Sequence, residues 1–111
     1  SIMAAALPDG NYHLGVNQVV VKDGDAKLAS DGTRAGSTLT QDRALRNLLS
    51  FTGLPLEQVL PVLTENPARL LGVYDRKGSI EEGKDADLVV LNGENQVTDV
   101  FLRGRRLREE A

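Results

Sequence analysis

The segment Thr33-Arg34-Ala35-Gly36-Ser37 is the stretch of this chain best suited to hold a small molecule. Ala35 and Gly36 carry almost no side chain, so a ligand can come close to the main chain there. The helix expected to follow also points its free N–H groups toward this loop. The same five residues also suit a plain glycine turn that leads into a helix cap and needs no ligand. His13 is the only histidine, and its place in a turn-to-strand region favours a surface or hairpin role. Asp85 and Asp87, in Lys-Asp-Ala-Asp-Leu, could pass for a carboxylate pair. They flank a strand entry, however, where aspartate favours turns and caps, and a structural role is expected. Arg103, Arg105, Arg106 and Arg108 form a basic end. Glu109 and Glu110 follow it and no stacking aromatics interleave, so a charged edge strand is expected and nucleic acid is not.

Metal and disulfide chemistry are poorly supplied. A hydrolytic metal site draws several histidine or carboxylate ligands onto one ion, and one histidine cannot provide the imidazole share. The chain has no cysteine, which excludes disulfides and thiolate sites and fits a reducing cytosol. The net charge of −3 exerts no general pull toward nucleic acid or anionic lipid. No apolar run approaches the roughly 20 residues of a membrane span, and no basic-then-apolar leader is present. A cytoplasmic location is expected. With 41% hydrophobic but only 4% aromatic residues, any core must be aliphatic.

The elements that would carry these residues can be read from periodicity. Pro8, Asp9 and Gly10 form a turn. Residues 16–29 read as a hairpin: Val19 and Val21 share one face, Asp23-Gly24 supplies the turn, and Ala26 and Leu28 follow. Helices are expected over about 40–71. Thr40 suits the first N-cap and Asp42 the first turn; Ala44, Leu45, Leu48 and Leu49 make an apolar stripe, and Gly53 ends it. Pro55 opens a second helix carrying Leu56, Val59, Leu60 and Leu63, with Pro61 set to kink or end it. Asn66 and Pro67 start a third, which Gly72 stops. After Gly72 the pattern predicts a short strand, a turn at Glu82-Gly83-Lys84, and the run Leu88 to Leu91, which suits a strand covered on both faces. A last hairpin turns near Arg103-Gly104.

Two stretches, DGTRAGSTLTQDRALRNLL and NPARLLGVYDRKGSIEEGKDADLVVLN, together with the opening AAALPDGNYHLG, resemble the C-terminal part of the N-acetylglucosamine-6-phosphate deacetylases of the amidohydrolase superfamily. The second stretch alone is also similar to deaminases and dihydroorotase-like proteins. The resemblance covers essentially the whole chain but only the last third or so of such an enzyme.

The resemblance implies an α+β fragment of a metal-dependent (β/α)8 barrel beside a small β-sandwich. On that template residues 1–76 are the end of the barrel and residues 77–111 the C-terminal strands of the sandwich. A whole barrel takes about 250 residues. The implied reaction of the parent is hydrolysis of N-acetylglucosamine 6-phosphate to glucosamine 6-phosphate and acetate, with a divalent metal, zinc or iron. The family's catalytic aspartate is expected immediately before Ser1, leaving this chain without catalytic or metal-ligating residues. The substrate-binding residues implied here are Arg34, Ala35 and Gly36, acting largely through backbone groups. Arg34 departs from the family, where leucine is usual. Bulk at Gly36 is expected to harm substrate use more than stability. The implied partners are a small amino sugar phosphate and further copies of the chain, with neither nucleic acid nor membrane. Two alternatives remain open: another amidohydrolase, or a free-standing, non-catalytic α+β module.

Overall fold

Two compact units divide the chain, Ser1–Thr40 and Gln41–Ala111. The computed structural model describes residues 1–108; Glu109 and Glu110, which close the basic end in the sequence, lie outside the described residues.

The first unit is an antiparallel sheet of three strands in the order β1-β2-β3. These are β1 (Gly10–Leu14), β2 (Asn17–Lys22) and β3 (Asp25–Leu28). The expected hairpin forms as read, with Val21 opposite Ala26 and Val19 opposite Leu28. Its turn has Asp23 at φ 52° and Gly24 at φ 75°, both left-handed, as a two-residue turn matching strand twist requires. Period-2 alternation sends Val19, Val21 and Ala26 to one face. There they form a buried core with Ala4 and Ala35, edged by Ile2, Tyr12 and Leu28. The preceding turn braces the hairpin. The Asp9 carboxylate accepts hydrogen bonds from the N–H of Asp23 at 2.8 Å and of Gly24 at 3.4 Å.

The second unit holds α1 (Gln41–Thr52), α2 (Leu56–Leu63) and α3 (Glu65–Leu70), then β4 (Leu88–Leu91), β5 (Val97–Leu102) and β6 (Arg105–Arg106). Helix α1 starts directly after Thr40, buries Leu45, and stops at Gly53, whose φ is 66°. Pro55 stands at the N-cap of α2 rather than inside its first turn. Pro61 lies within α2, which runs only two residues further, consistent with the backbone hydrogen bond that proline cannot donate. Helix α3 begins earlier than Asn66: Thr64 is its N-cap, so Asn66 and Pro67 fall within the first turn. Thr64 Oγ1 donates back to Leu60 C=O at 2.8 Å, so its side chain serves α2 instead.

The short strand expected after Gly72 does not form. Residues 73–87 are turns held by side chains. Lys84 Nζ lies 3.6 Å from the Tyr74 ring centroid and Arg69 Cζ 3.8 Å from it. Lys84 also donates to Ser79 Oγ at 2.6 Å and pairs with Glu81 at 2.8 Å, with its side chain only 9% exposed. Gly78, at φ 91°, brings the chain so close to α3 that a Cβ there would lie 2.6 Å from that of Ala68. Strands β4, β5 and β6 make a second antiparallel sheet, with a register shift between Val90 and Leu91. The expectation that Leu88–Leu91 is covered on both faces is not met. Leu88 and Leu91 are half-buried, while Val89 is 57% exposed and Val90 is exposed too. As an edge strand, β4 has only β5 beside it.

Candidate functional site

The segment Thr33–Ser37 runs beside β3 as a partial fourth strand. Lys27 and Arg34 form an antiparallel bridge. It is flanked by Leu28 N–H donating to Thr33 C=O and Ala35 N–H donating to Ala26 C=O, both at 2.8 Å. In this pattern the bridged residues are a non-hydrogen-bonded pair, so Arg34 turns its own N–H and C=O away from β3. The entry into the segment is fixed by Asp31, whose carboxylate accepts the Thr33 N–H at 2.9 Å. That bond holds the Asp31 carboxyl below its ordinary pKa.

Each predicted site residue has a defined place. Ala35 is buried in the core and its N–H is taken by Ala26; it therefore offers a ligand neither its side chain nor its amide hydrogen. Gly36 is left-handed, at φ 84°, and a Cβ on it would come 2.3 Å from Ile2 Cγ2. Its small size is thus required by packing and backbone alone. The expectation that bulk at Gly36 would spare stability is corrected on that ground. Ile2 N–H donates to Ser37 C=O at 2.7 Å, and Ser1 Oγ donates to Leu39 C=O, so the first residues clasp the loop. Arg34 is 76% exposed, and its Nε donates to Asp25 Oδ1 at 3.3 Å. Lys27 Nζ lies 3.5 Å from Asp25 Oδ2. The Arg34 hydrogen bond is the main reason the Asp25 carboxyl sits below its ordinary pKa.

His13 is exposed on β1, opposite Gln18, away from any ligand set. Asp85 and Asp87 are structural. Asp85 pairs with Arg76 at 3.1 Å and Lys77 at 3.0 Å. Asp87 pairs with Lys77 and accepts the Arg103 N–H at 2.8 Å, which pins the turn between β5 and β6. Among the described residues no three or more histidine, cysteine, aspartate or glutamate side chains are grouped to hold a metal ion. No helix among them is long and apolar enough to cross a membrane. Sequence reading missed Ile2, Asp9, Asp25 and Lys27. The contacts of Ile2 and Asp9 join distant parts of the chain and leave no local pattern. Asp25 and Lys27 could have been found, because their spacing of two puts both on the β3 face opposite Ala26.

Comparison with known proteins is consistent along the chain. A family model described as the amidohydrolase family matches residues 4–107. An N-acetylglucosamine-6-phosphate deacetylase of Bacillus subtilis (strain 168) is 40% identical over 94% of this chain. An N-acetylgalactosamine-6-phosphate deacetylase of Escherichia coli O157:H7 is 36% identical over 95% of it. The crystal structure of an N-acetylglucosamine-6-phosphate deacetylase from Thermotoga maritima superposes with a TM-score of 0.83 over 96% of this chain, at 42% identity. The chain spans only about a quarter of the length of these proteins: 26%, 28% and 29%.

Proposed function

The chain belongs to the amidohydrolase family, and from that membership we propose that it is the C-terminal part of an N-acetylglucosamine-6-phosphate deacetylase. The observation that carries this reading is the even match to deacetylases over 94% of the chain or more, in sequence and in fold alike. Residues 1–76 are assigned to the end of the (β/α)8 barrel and residues 77–111 to the strands of the small β-sandwich. In the parent, the acetamide of the amino sugar phosphate is hydrolysed to the free amine and acetate. The substrate is a hexosamine 6-phosphate; the gluco epimer is preferred as the substrate class because both the Bacillus and the Thermotoga proteins are named for it.

The contribution of this chain is one wall of the sugar pocket. Arg34 and Gly36 present main-chain polar groups to the sugar, and the buried Ala35 holds them in line. Amidohydrolases are generally metal-dependent. Among the described residues no group of side chains fits a metal. The test is acetate release by the longer protein that contains these residues. N-acetylglucosamine 6-phosphate should be turned over faster than its galacto epimer. Turnover of neither, or deamination of an unrelated substrate, overturns the reading. The 111-residue chain alone should release no acetate, with or without added zinc or iron.

A further inference from the structure

At the tip of the β4–β5 hairpin stand Asn92 and Gly93, where an asparagine directly precedes a glycine. Every other glycine except Gly10 has a positive φ, and Gly93 does not. Nothing lies within 4 Å of where its Cβ would be, so neither backbone nor packing requires a glycine at this position. Its missing side chain does leave open access to the main-chain nitrogen, which donates to no group among the described residues. The preceding carboxamide is held in place. Asn92 Oδ1 accepts the N–H of Glu94 at 2.9 Å and of Gln96 at 3.0 Å, and Nδ2 donates to Gln96 Oε1 at 3.0 Å. Both Asn92 and Gly93 are exposed to water.

We propose that Asn92 and Gly93 form a self-modification site, at which the folded protein deamidates itself. Hydroxide from solvent takes the Gly93 amide proton, and the nitrogen attacks Asn92 Cγ. The new N–Cγ bond pushes the carbonyl electron pair onto Oδ1. Two N–H groups already point at that oxygen, as an oxyanion requires. Collapse breaks the Cγ–Nδ2 bond, and Nδ2 takes a proton from water and leaves as ammonia. Water then opens the succinimide ring, at Cγ to give an aspartyl residue or at the main-chain carbonyl to give an isoaspartyl link. The net change is one water consumed and one ammonia released. An aspartyl carboxylate inherits both N–H donors, and hydrogen bonds to a charged acceptor are the stronger ones. An isoaspartyl link instead lengthens the main chain by one carbon between the Asn92 N–H and C=O. Those groups close the hairpin tip, by donating to Gln96 C=O at 2.9 Å and accepting from Asn95 N–H at 3.0 Å. The iso product therefore also displaces Asn95 C=O, which accepts from Arg46 Nη1 of α1 at 3.3 Å.

Mass spectrometry of the purified protein, aged in neutral and in mildly alkaline buffer, tests the site. Trypsin releases residues 85–103, a peptide that carries Asn92 beside Asn95, which is followed by Gln96 and serves as the internal control. Asn92 should gain the mass of an amide-to-acid conversion, faster at the higher pH, while Asn95 stays intact. Gly93→Ala, which backbone and packing both accept, should slow the conversion about tenfold by crowding the attacking nitrogen, with Tm unchanged. The folded protein should convert at least as fast as the same chain in urea, because only the fold aims two N–H groups at Oδ1. Asn92→Asp, which copies the aspartyl product, should match or exceed the Tm of the parent. Slower conversion in the fold than in urea would show that the hairpin shields Asn92, and overturns the proposal. So does a Gly93→Ala rate equal to the parent's. A clear loss of Tm in Asn92→Asp would show that the N–H pair does not favour charge at Oδ1, and overturns it as well.

Discussion

Ile2 Cγ2 occupies the space that a side chain on Gly36 would need, 2.3 Å from where its Cβ would lie. Gly36 is also left-handed, which costs a residue with a Cβ about 1–2 kcal/mol, and overpacking adds about 1–3 kcal/mol. Gly36→Ala should therefore lower the urea midpoint of unfolding with its slope unchanged. Adding Ile2→Ala should recover the packing share but not the backbone share. A double variant that loses as much as the two single ones combined would show that the contact is not what fixes Gly36.

Lys77 and its two carboxylates should give stability an acid and an alkaline limit. Asp85 and Asp87 sit below their ordinary pKa, each chiefly through a hydrogen bond from Lys77. Lys77 sits above its own, chiefly through Asp87 and then Asp85. A depressed carboxyl stabilises the fold above its unfolded pKa and loses that contribution as pH falls through the folded value. The window is below about pH 4. A raised ammonium stabilises below its unfolded pKa and loses that as pH climbs through the folded value, above about pH 10.4. Melting temperature against pH should decline in both windows, and Lys77→Met should flatten both flanks. Unchanged flanks in the variant would remove Lys77 from the account.

Tyr74 should matter through its ring face. Both Arg69 and Lys84 lie over it, and each such contact contributes about 0.5–2 kcal/mol. Tyr74→Leu keeps apolar bulk and removes both, so it should cost about 1–3 kcal/mol, whereas Tyr74→Phe should cost far less. Chemical denaturation of the two variants reads the difference, and equal losses would point to the phenol hydroxyl instead.

Association of the 111-residue chain with itself is the expected outcome at micromolar concentration. Leu70 is 87% exposed and Ile80 88%, with Phe51 and Leu71 also exposed. Burying side chains of this size gains about 1.5–3 kcal/mol each. Light scattering should report dimers or larger species. A stable monomer of 12.0 kDa would show that these apolar surfaces tolerate water.

What was legible in the sequence follows the range of the interaction. Val19, Val21 and Ala26 alternate at period two, and Asp23-Gly24 is a turn by local chemistry, so the first hairpin could be read directly. Helix α1 was equally plain from its stripe and Gly53. The α2–α3 boundary was misplaced, because Thr64 is the N-cap of α3 yet bonds its hydroxyl back into α2. The short strand read between Gly72 and the Glu82-Gly83-Lys84 turn is absent, because ion pairs and the Tyr74 ring hold turns there instead. At the candidate site, Ala35 and Gly36 stood out as small residues. Their smallness is explained by the core and by Ile2, a partner 34 positions from Gly36 that no local pattern announces.

Every sheet pairing and helix contact described above joins elements adjacent along the chain: β1 with β2, β2 with β3, α1 with α2, α2 with α3, β4 with β5, β5 with β6. Closing short loops forfeits little chain entropy before contacts begin to compensate, and folds rich in local contacts assemble quickly. The consequence is temporal. Each pair of neighbours can form as soon as its second member leaves the ribosome, without waiting for any distant segment. The clasp of Ile2 on Ser37 and of Ser1 on Leu39 must wait longer, since it closes only after all three strands of the first sheet have been made.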